Sequence, residues 1–355
     1  MIIKKVAVLG LGKVGKLVAT LLSNTGFDVT GIDSGDLKQE FSFAVRSDDV
    51  TNRDRLQKIL YAHDAVVSCL PYHLNKAIAE VACQTDTHYF DLTEDFSTTN
   101  HIRQLAADAN IVMAPQCGLA PGFIGIVGAS LAKKFSKIRS IELRVGALPQ
   151  HPKGDLGYAF NWSAEGVVNE YLNDCQVIKD GSIKMVPSMQ DLENIVIQGR
   201  SLEAFTTSGG LGTMCETYDG KVEELNYKTM RYPGHMKLMR FYFHELMMKK
   251  DRIKAGEILV NAKPPVNDDI VYVHAAVEGY KGDNLFRDEF VKSYKPIDID
   301  GESWRAISWT TACSIASVVE MVAREELATK GFIKQEEILL EDFLATRNGG
   351  YYNAQ

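Results

Sequence analysis

The feature that most narrows what this chain can fold into is a glycine run set between two patterns. Lys5-Val6-Ala7-Val8-Leu9 is apolar after its lysine and reads as a short buried strand. Gly10-Leu11-Gly12-Lys13-Val14-Gly15 follows. Val14, Leu17, Val18, Leu21 and Leu22 then recur at helical spacing until Asn24-Thr25-Gly26 ends the helix. A G-x-G-x-x-G run between strand and helix is the setting in which that motif cradles a dinucleotide pyrophosphate. Gly10 permits the tight turn, Gly12 lets the backbone approach the phosphates, and Gly15 lets helix and strand pack closely. Lys13 and Val14 lead into the helix, whose first N–H groups and partial positive charge suit an anion. The next strand, Asp28 to Ile32, stops at Asp33, about 20 residues beyond the loop, where a carboxylate accepts from ribose hydroxyls. It would repel a 2'-phosphate, and no Arg follows closely. NAD is therefore expected, with NADP the less favoured cofactor.

The alternation continues. Ala65–Leu70, Tyr89–Leu92 and Ile111–Ala114 read as strands. Helices fall from Thr51 or Asn52 to Tyr61, after Pro71, and from about Asn100 to Ala109. Strands alternating with helices imply a doubly wound parallel sheet covered on both faces, a Rossmann domain. After Ala120-Pro121-Gly122 the pattern changes to β-rich runs, Ser140–Val145, Ile195–Ile197 and Ile270–Val277, separated by Gly and Asp turns. The expected fold class is α/β, with an α+β substrate domain built on an open mixed sheet. Residues 1–122 and 305–355 would form the dinucleotide-binding domain, and 123–304 the substrate, catalytic and oligomerisation domain. Ile307 to Leu327 is apolar on most of its circumference, so it should be buried, either on return to the first domain or as a subunit contact. A homodimer or larger homo-oligomer is expected.

Composition excludes several classes. The net charge is −7 and no basic patch stands out, which argues against nucleic acid and anionic membrane as partners. The 6 Cys include no C-x-x-C pair, so neither metal-ligand spacing nor a disulfide framework is present. Reduced thiols suit a cytoplasmic protein. No apolar run reads as a membrane span and the first residues do not read as a signal peptide.

Segments spread along nearly the whole chain resemble the saccharopine dehydrogenase family, lysine 6-dehydrogenase included. In order they are Asp49-Val50-Thr51, Ser68-Cys69-Leu70-Pro71, His88-Tyr89-Phe90-Asp91, Gly118-Leu119-Ala120-Pro121-Gly122 and Arg144 to Pro149. Phe160 to Gly166, Thr207 to Gly210 and Tyr227 to His235 complete the series. The resemblance implies an amino-acid substrate and carbon–nitrogen redox chemistry. It implies an adenine pocket lined by Asp49 and Val50, with Ser68, Leu70 and Pro71 beside the nicotinamide ribose. Tyr72, Asp91 and Cys117 would lie in the active site. Ala120 departs from the family, where many members carry Asp before that proline, and Gln116 stands where a glutamate is usual.

Oxidising a C–N bond requires hydride transfer from carbon to the nicotinamide, an unprotonated nitrogen or an iminium, and proton transfers around water attack. Asp91, at the end of its strand, is the first candidate for handling the proton or binding the ammonium. Arg231, in the rigid Arg-Tyr-Pro-Gly-His turn, is the candidate for a substrate carboxylate, because a guanidinium binds carboxylates through two bonds. Arg144 is a second. His235 is a proton-shuttle candidate by its near-neutral ordinary pKa. Tyr72 is placed to bond substrate, Cys117 to line the pocket, and Trp162-Ser163 to form a wall. The leading expectation is an NAD-dependent dehydrogenase of saccharopine or lysine. A carboxyspermidine-type dehydrogenase and a non-catalytic NAD-binding sensor are the alternatives.

Overall fold

The computed structural model describes residues 2–35 and 41–354. The chain divides into two compact units, one reaching to Ile126 and resuming at Ser308, the other Val127–Ile307.

In the first unit strands and helices alternate: β1 (Lys5–Leu9), α1 (Gly15–Asn24), β2 (Asp28–Asp33), β3 (Ala44–Ser47), α2 (Arg53–Leu60), β4 (Ala65–Ser68), α3 (Tyr72–Gln84), β5 (His88–Asp91), α4 (Phe96–Ala106) and β6 (Val112–Ala114). The strands lie in the order β3-β2-β1-β4-β5-β6, all parallel. That is the Rossmann order, with its switch point between β1 and β4, so ligands are received outside the carboxyl ends of those strands. Leu9, Ile32, Val66, Tyr89 and Met113 meet Leu56, Ile78 and Ile102 of the helices in one core. Register brings Leu9 beside Ser68, and Ser68 beside Asp91, along the edge that receives ligands.

β3 and α4 differ from the sequence reading. β3 is exposed at all four residues and carries no burial pattern to betray it. α4 starts at Phe96, because the Asp95 side chain accepts from Thr98 N–H at 2.7 Å and caps it.

The second unit takes in most of α5 (Phe123–Ala132), then β7 (Lys137–Pro149), α6 (Ala164–Leu172), β8 (Cys175–Lys179), β9 (Ser182–Val186), β10 (Glu193–Ile197), β11 (Arg200–Thr206), α7 (Met214–Tyr218), β12 (Glu224–Arg231), α8 (His235–Arg240), α9 (Arg252–Ala262), β13 (Asp269–Lys281), β14 (Asn284–Tyr294), β15 (Ile297–Ile299) and β16 (Glu302–Trp304). β10-β11-β12-β7-β13-β14 form a mixed sheet whose one parallel pairing on that path is β12 with β7. β8 joins it beside β12 and pairs with β9. Leu148, Phe160, Tyr171, Phe205, Met230 and Phe243 belong to its core.

The chain closes with α10 (Ala306–Ala323), β17 (Gly331–Phe332), which adds to the first sheet beside β6, and α11 (Leu340–Ala345). By length and composition α10 passes for a membrane span, contrary to the sequence reading. It is nevertheless 89% buried inside the protein, which also removes it as a subunit contact. Fully buried Glu320 is bonded by the backbone N–H of Arg347 at 3.0 Å, by Asn348 Nδ2 at 3.1 Å and by Arg324 at 2.5 Å. It therefore ties the chain's last segment to this helix.

Candidate functional site

The three loop glycines do different things. Gly10 has φ +84°, and its N–H donates to Ile32 O at 2.8 Å. A Cβ on Gly15 would lie 1.8 Å from Gly10 O and 3.0 Å from Cys69 Cβ, so turn and helix cannot close with any other residue there. A Cβ on Gly12 would meet nothing within 4 Å. The exposed backbone at Gly12 is thus an open cradle of the kind a pyrophosphate fills. Lys13 is exposed beside it and Val14 is half-buried. Val14 puts no side-chain cap on α1, whose first N–H groups therefore suit an anion.

Asp33 clamps this loop. Its Oδ2 accepts from Leu11 N–H at 2.7 Å and its Oδ1 from Gly35 N–H at 2.8 Å. Each carboxylate oxygen keeps acceptor capacity for a ribose hydroxyl. Edge strand β3 places Arg46 beside Ile32, a cation too far along the sequence to enter the reading of Asp33. The Arg46 guanidinium is bonded to Asp48, which Arg55 also approaches at 3.4 Å.

Asp49 is exposed, and its Oδ1 accepts from Thr51 N–H at 2.9 Å and Thr51 Oγ1 at 2.6 Å. Those bonds hold its carboxyl below the usual range and shape the turn into α2. Val50 packs against the core behind it. Ser68 is fully buried, and its hydroxyl donates to Asn75 Oδ1 at 2.7 Å. Leu70 closes over Gly10, 2.8 Å from where a Cβ would stand. Pro71 occupies the N-cap position of α3 without a side-chain bond, and Tyr72 is the helix's first residue, edge-on to His73 with ring centroids 6.0 Å apart.

Asp91, Cys117 and Ser68 come together at the ends of adjoining strands. Asp91 is fully buried. Tyr89 OH donates to Oδ2 at 2.7 Å, and the N–H groups of Thr93 and Gln116 each donate to Oδ1 at 3.0 Å. Burial pushes its carboxyl up to about 6 against the pull of those bonds. Cys117 N–H donates to Asp91 O at 2.9 Å, so the residue also braces the 116–117 turn, where Gln116 adopts φ +64°. The Cys117 thiol donates to Ala114 O at 3.1 Å, and Gln335 Nε2 donates to its sulfur at 3.2 Å. Burial, then the Asp91 charge, raises that thiol well above its ordinary value, so it is a neutral wall. Asn75 and Gln335 escaped the sequence reading, which noted Tyr89 and Gln116 in the family motifs without giving either a role. The orphaned buried Oε1 of Gln335 marks it in the structure, and no local pattern marks it in the sequence.

In the second unit Arg231 and His235 share one network. Arg231 Nε donates to Tyr171 OH at 2.7 Å, and Nη1 donates to Met230 O at 2.9 Å. The guanidinium lies 4.8 Å from the Tyr158 ring centroid. The guanidinium is only 2% exposed, and the charge of the buried Glu170 carboxylate is felt at it. His235 Nδ1 lies 2.9 Å from Leu156 O, which can only accept, so Nδ1 carries the proton. Nε2 then accepts from Tyr171 OH at 2.9 Å. Burial, and next the Arg231 charge, push His235 down to about 3. This corrects the expectation of a near-neutral proton shuttle: His235 is a neutral acceptor that orients Tyr171. Arg144 is corrected likewise. Its Nε is 2.5 Å from Glu193 Oε1 and its Nη1 2.7 Å from Asn226 Oδ1, so it is already paired within the sheet. Trp162 is half-buried and donates to Tyr158 OH at 3.2 Å.

Residues 6–115 match the family model described as saccharopine dehydrogenase NADP binding domain, and residues 118–346 the saccharopine dehydrogenase C-terminal domain. Among curated proteins, the saccharopine dehydrogenase [NADP(+), L-glutamate-forming] of Saccharomyces cerevisiae is 28% identical over 200 residues, covering 52% of this chain and 44% of that protein. The mitochondrial alpha-aminoadipic semialdehyde synthase of Rattus norvegicus is 25% identical over 255 residues, covering 66% of this chain and 27% of that protein. These matches span less than half of each relative's length. Among solved structures, the apo saccharopine dehydrogenase (L-Glu forming) from Saccharomyces cerevisiae superposes with a TM-score of 0.76 at 17% identity, over 96% of this chain and 95% of that one. That similarity concerns the fold.

Proposed function

The chain belongs to the saccharopine dehydrogenase family, and from that membership we propose an oxidoreductase that oxidises a C–N bond of a lysine-derived amino acid, saccharopine or lysine. The observation that carries the redox part is the open backbone cradle at Gly12, set at the switch point of a Rossmann-ordered sheet. Gly10, Gly12, Gly15 and the start of α1 would hold the pyrophosphate, and Asp33 the adenosine ribose. Asp49 and Val50 would line the adenine side, with Ser68, Leu70 and Pro71 at the nicotinamide ribose. A bound pyridine dinucleotide supplies a hydride acceptor.

This chain's own residues do the rest. Asp91 keeps a negative charge at the edge where hydride loss leaves an iminium cation on the substrate, and it holds the turn that presents Cys117. Tyr72, at the start of α3, bonds the substrate. Arg231 receives the substrate carboxylate; a buried guanidinium held in place by Tyr171 and the Met230 carbonyl supports that role. The test is reduced-dinucleotide formation with saccharopine and with lysine. Glutamate with saccharopine, or ammonia with lysine, identifies the substrate. Silence with both refutes the activity.

We assign NAD as the preferred cofactor on Asp33. The family model's NADP-binding description and Arg46 on β3 support the opposite preference, so kcat/KM with NAD and NADP decides. Tighter use of NADP, lost in Arg46→Ala, overturns the assignment.

A further inference from the structure

Asp91 is an uncompensated buried charge close to the dinucleotide cradle. No Lys, Arg or His among the described residues pairs with it. The titratable groups facing it are Tyr89 on its own strand, Cys69 after β4 and Cys117 after β6, all neutral when protonated. Thr93, Thr99, Gln116 and Gln335 complete the polar surroundings.

Two observations tie this charge to the cradle. Asp91 is in register with Ser68, and Ser68 with Leu9, the residue before the glycine turn. Two strand spacings place Asp91 about 10 Å from the end of β1. Cys69 bridges the gap: its Cβ is 3.0 Å from the position of a Cβ on Gly15, and Asp91's charge is felt at its thiol. Asp33 on β2 takes the adenosine half to one side of the switch point, so the nicotinamide half extends over β4 and β5.

An oxidised nicotinamide ring is a cation, and the reduced ring is neutral. A fixed anion nearby stabilises the first and is indifferent to the second. We propose that the buried Asp91 carboxylate makes this site discriminate between oxidation states of the dinucleotide, binding the oxidised form more tightly than an uncharged residue would allow. The inference rests on the dinucleotide reading above. It adds a function for Asp91 that needs no substrate: the residue biases the bound cofactor toward the hydride-accepting form.

The experiment is equilibrium binding of NAD+ and NADH, with NADP+ and NADPH in parallel, to the full chain between pH 5 and pH 8. Oxidised-form affinity should rise on the order of tenfold over this range as Asp91 loses its proton, with reduced-form affinity nearly flat. Asp91→Asn should hold the oxidised-to-reduced ratio at its acid value throughout. Tyr89→Phe removes one bond to the carboxylate and should move the midpoint to higher pH, which keeps the test open if Asp91→Asn does not fold. Parallel pH profiles for the two forms, or an unaltered ratio in Asp91→Asn, overturn the inference and leave the dinucleotide reading intact. Binding of neither form refutes both.

Discussion

Gly12 and Gly15 stand three residues apart, yet a methyl group added to each meets different surroundings. At Gly15 it runs into the Gly10 carbonyl, and at Gly12 it enters open space. Gly12→Val should fold with near-native stability and weaken dinucleotide binding at least tenfold. Gly15→Ala should lower the urea midpoint itself. Equal stability losses in both variants would contradict this division. His235 allows a second test by pH. Its folded pKa of about 3 lies below the ordinary 6.5, so between those values the unfolded chain binds the extra proton. Stability conferred by neutral His235 is therefore present above pH 6.5 and lost as pH falls toward 3. The stability difference between the protein and His235→Asn should shrink by about 1.4 kcal/mol per pH unit across that window, read from urea unfolding. The glycines were legible because their constraint is local. The environment of His235 was not, since Tyr171 and Leu156 reach it from 64 and 79 residues away.

α10 was legible as a buried helix, because an all-round apolar surface has no solvent face to present. Its start was not legible. Asp269 receives Ala306 N–H at 2.6 Å and Ile307 N–H at 3.0 Å, so a residue 37 positions upstream caps this helix. Asp269 is fully buried. Asp269→Ala removes the carboxylate that accepts from both N–H groups and should cost about 1–3 kcal/mol, measured by chemical denaturation. Asp269→Asn keeps one acceptor and should cost less. A neutral result for Asp269→Ala would show that water replaces the cap. β3 escaped detection for the opposite reason: an edge strand exposed on both faces leaves no alternation to read.

For the whole molecule, the Rossmann order predicts a thermodynamic signature independent of turnover. Dinucleotide at a hundred times its Kd should stabilise the protein by about 2.7 kcal/mol, seen as a rise in thermal midpoint. The rise should vanish in Gly12→Val. An undiminished shift in that variant would place the ligand elsewhere. The sequence by itself determined the alternation of strand and helix, the glycine turn, the carboxylate at the end of β2 and the change of character after Gly122. Each is written in residues a few positions apart, where backbone sterics and apolar period act directly. The tertiary structure alone decided that Asp91 is buried, bonded three times and without a cation, that Arg144 is already paired, and that His235 is neutral. Those outcomes depend on which distant groups share a low-dielectric interior, and no local pattern encodes that.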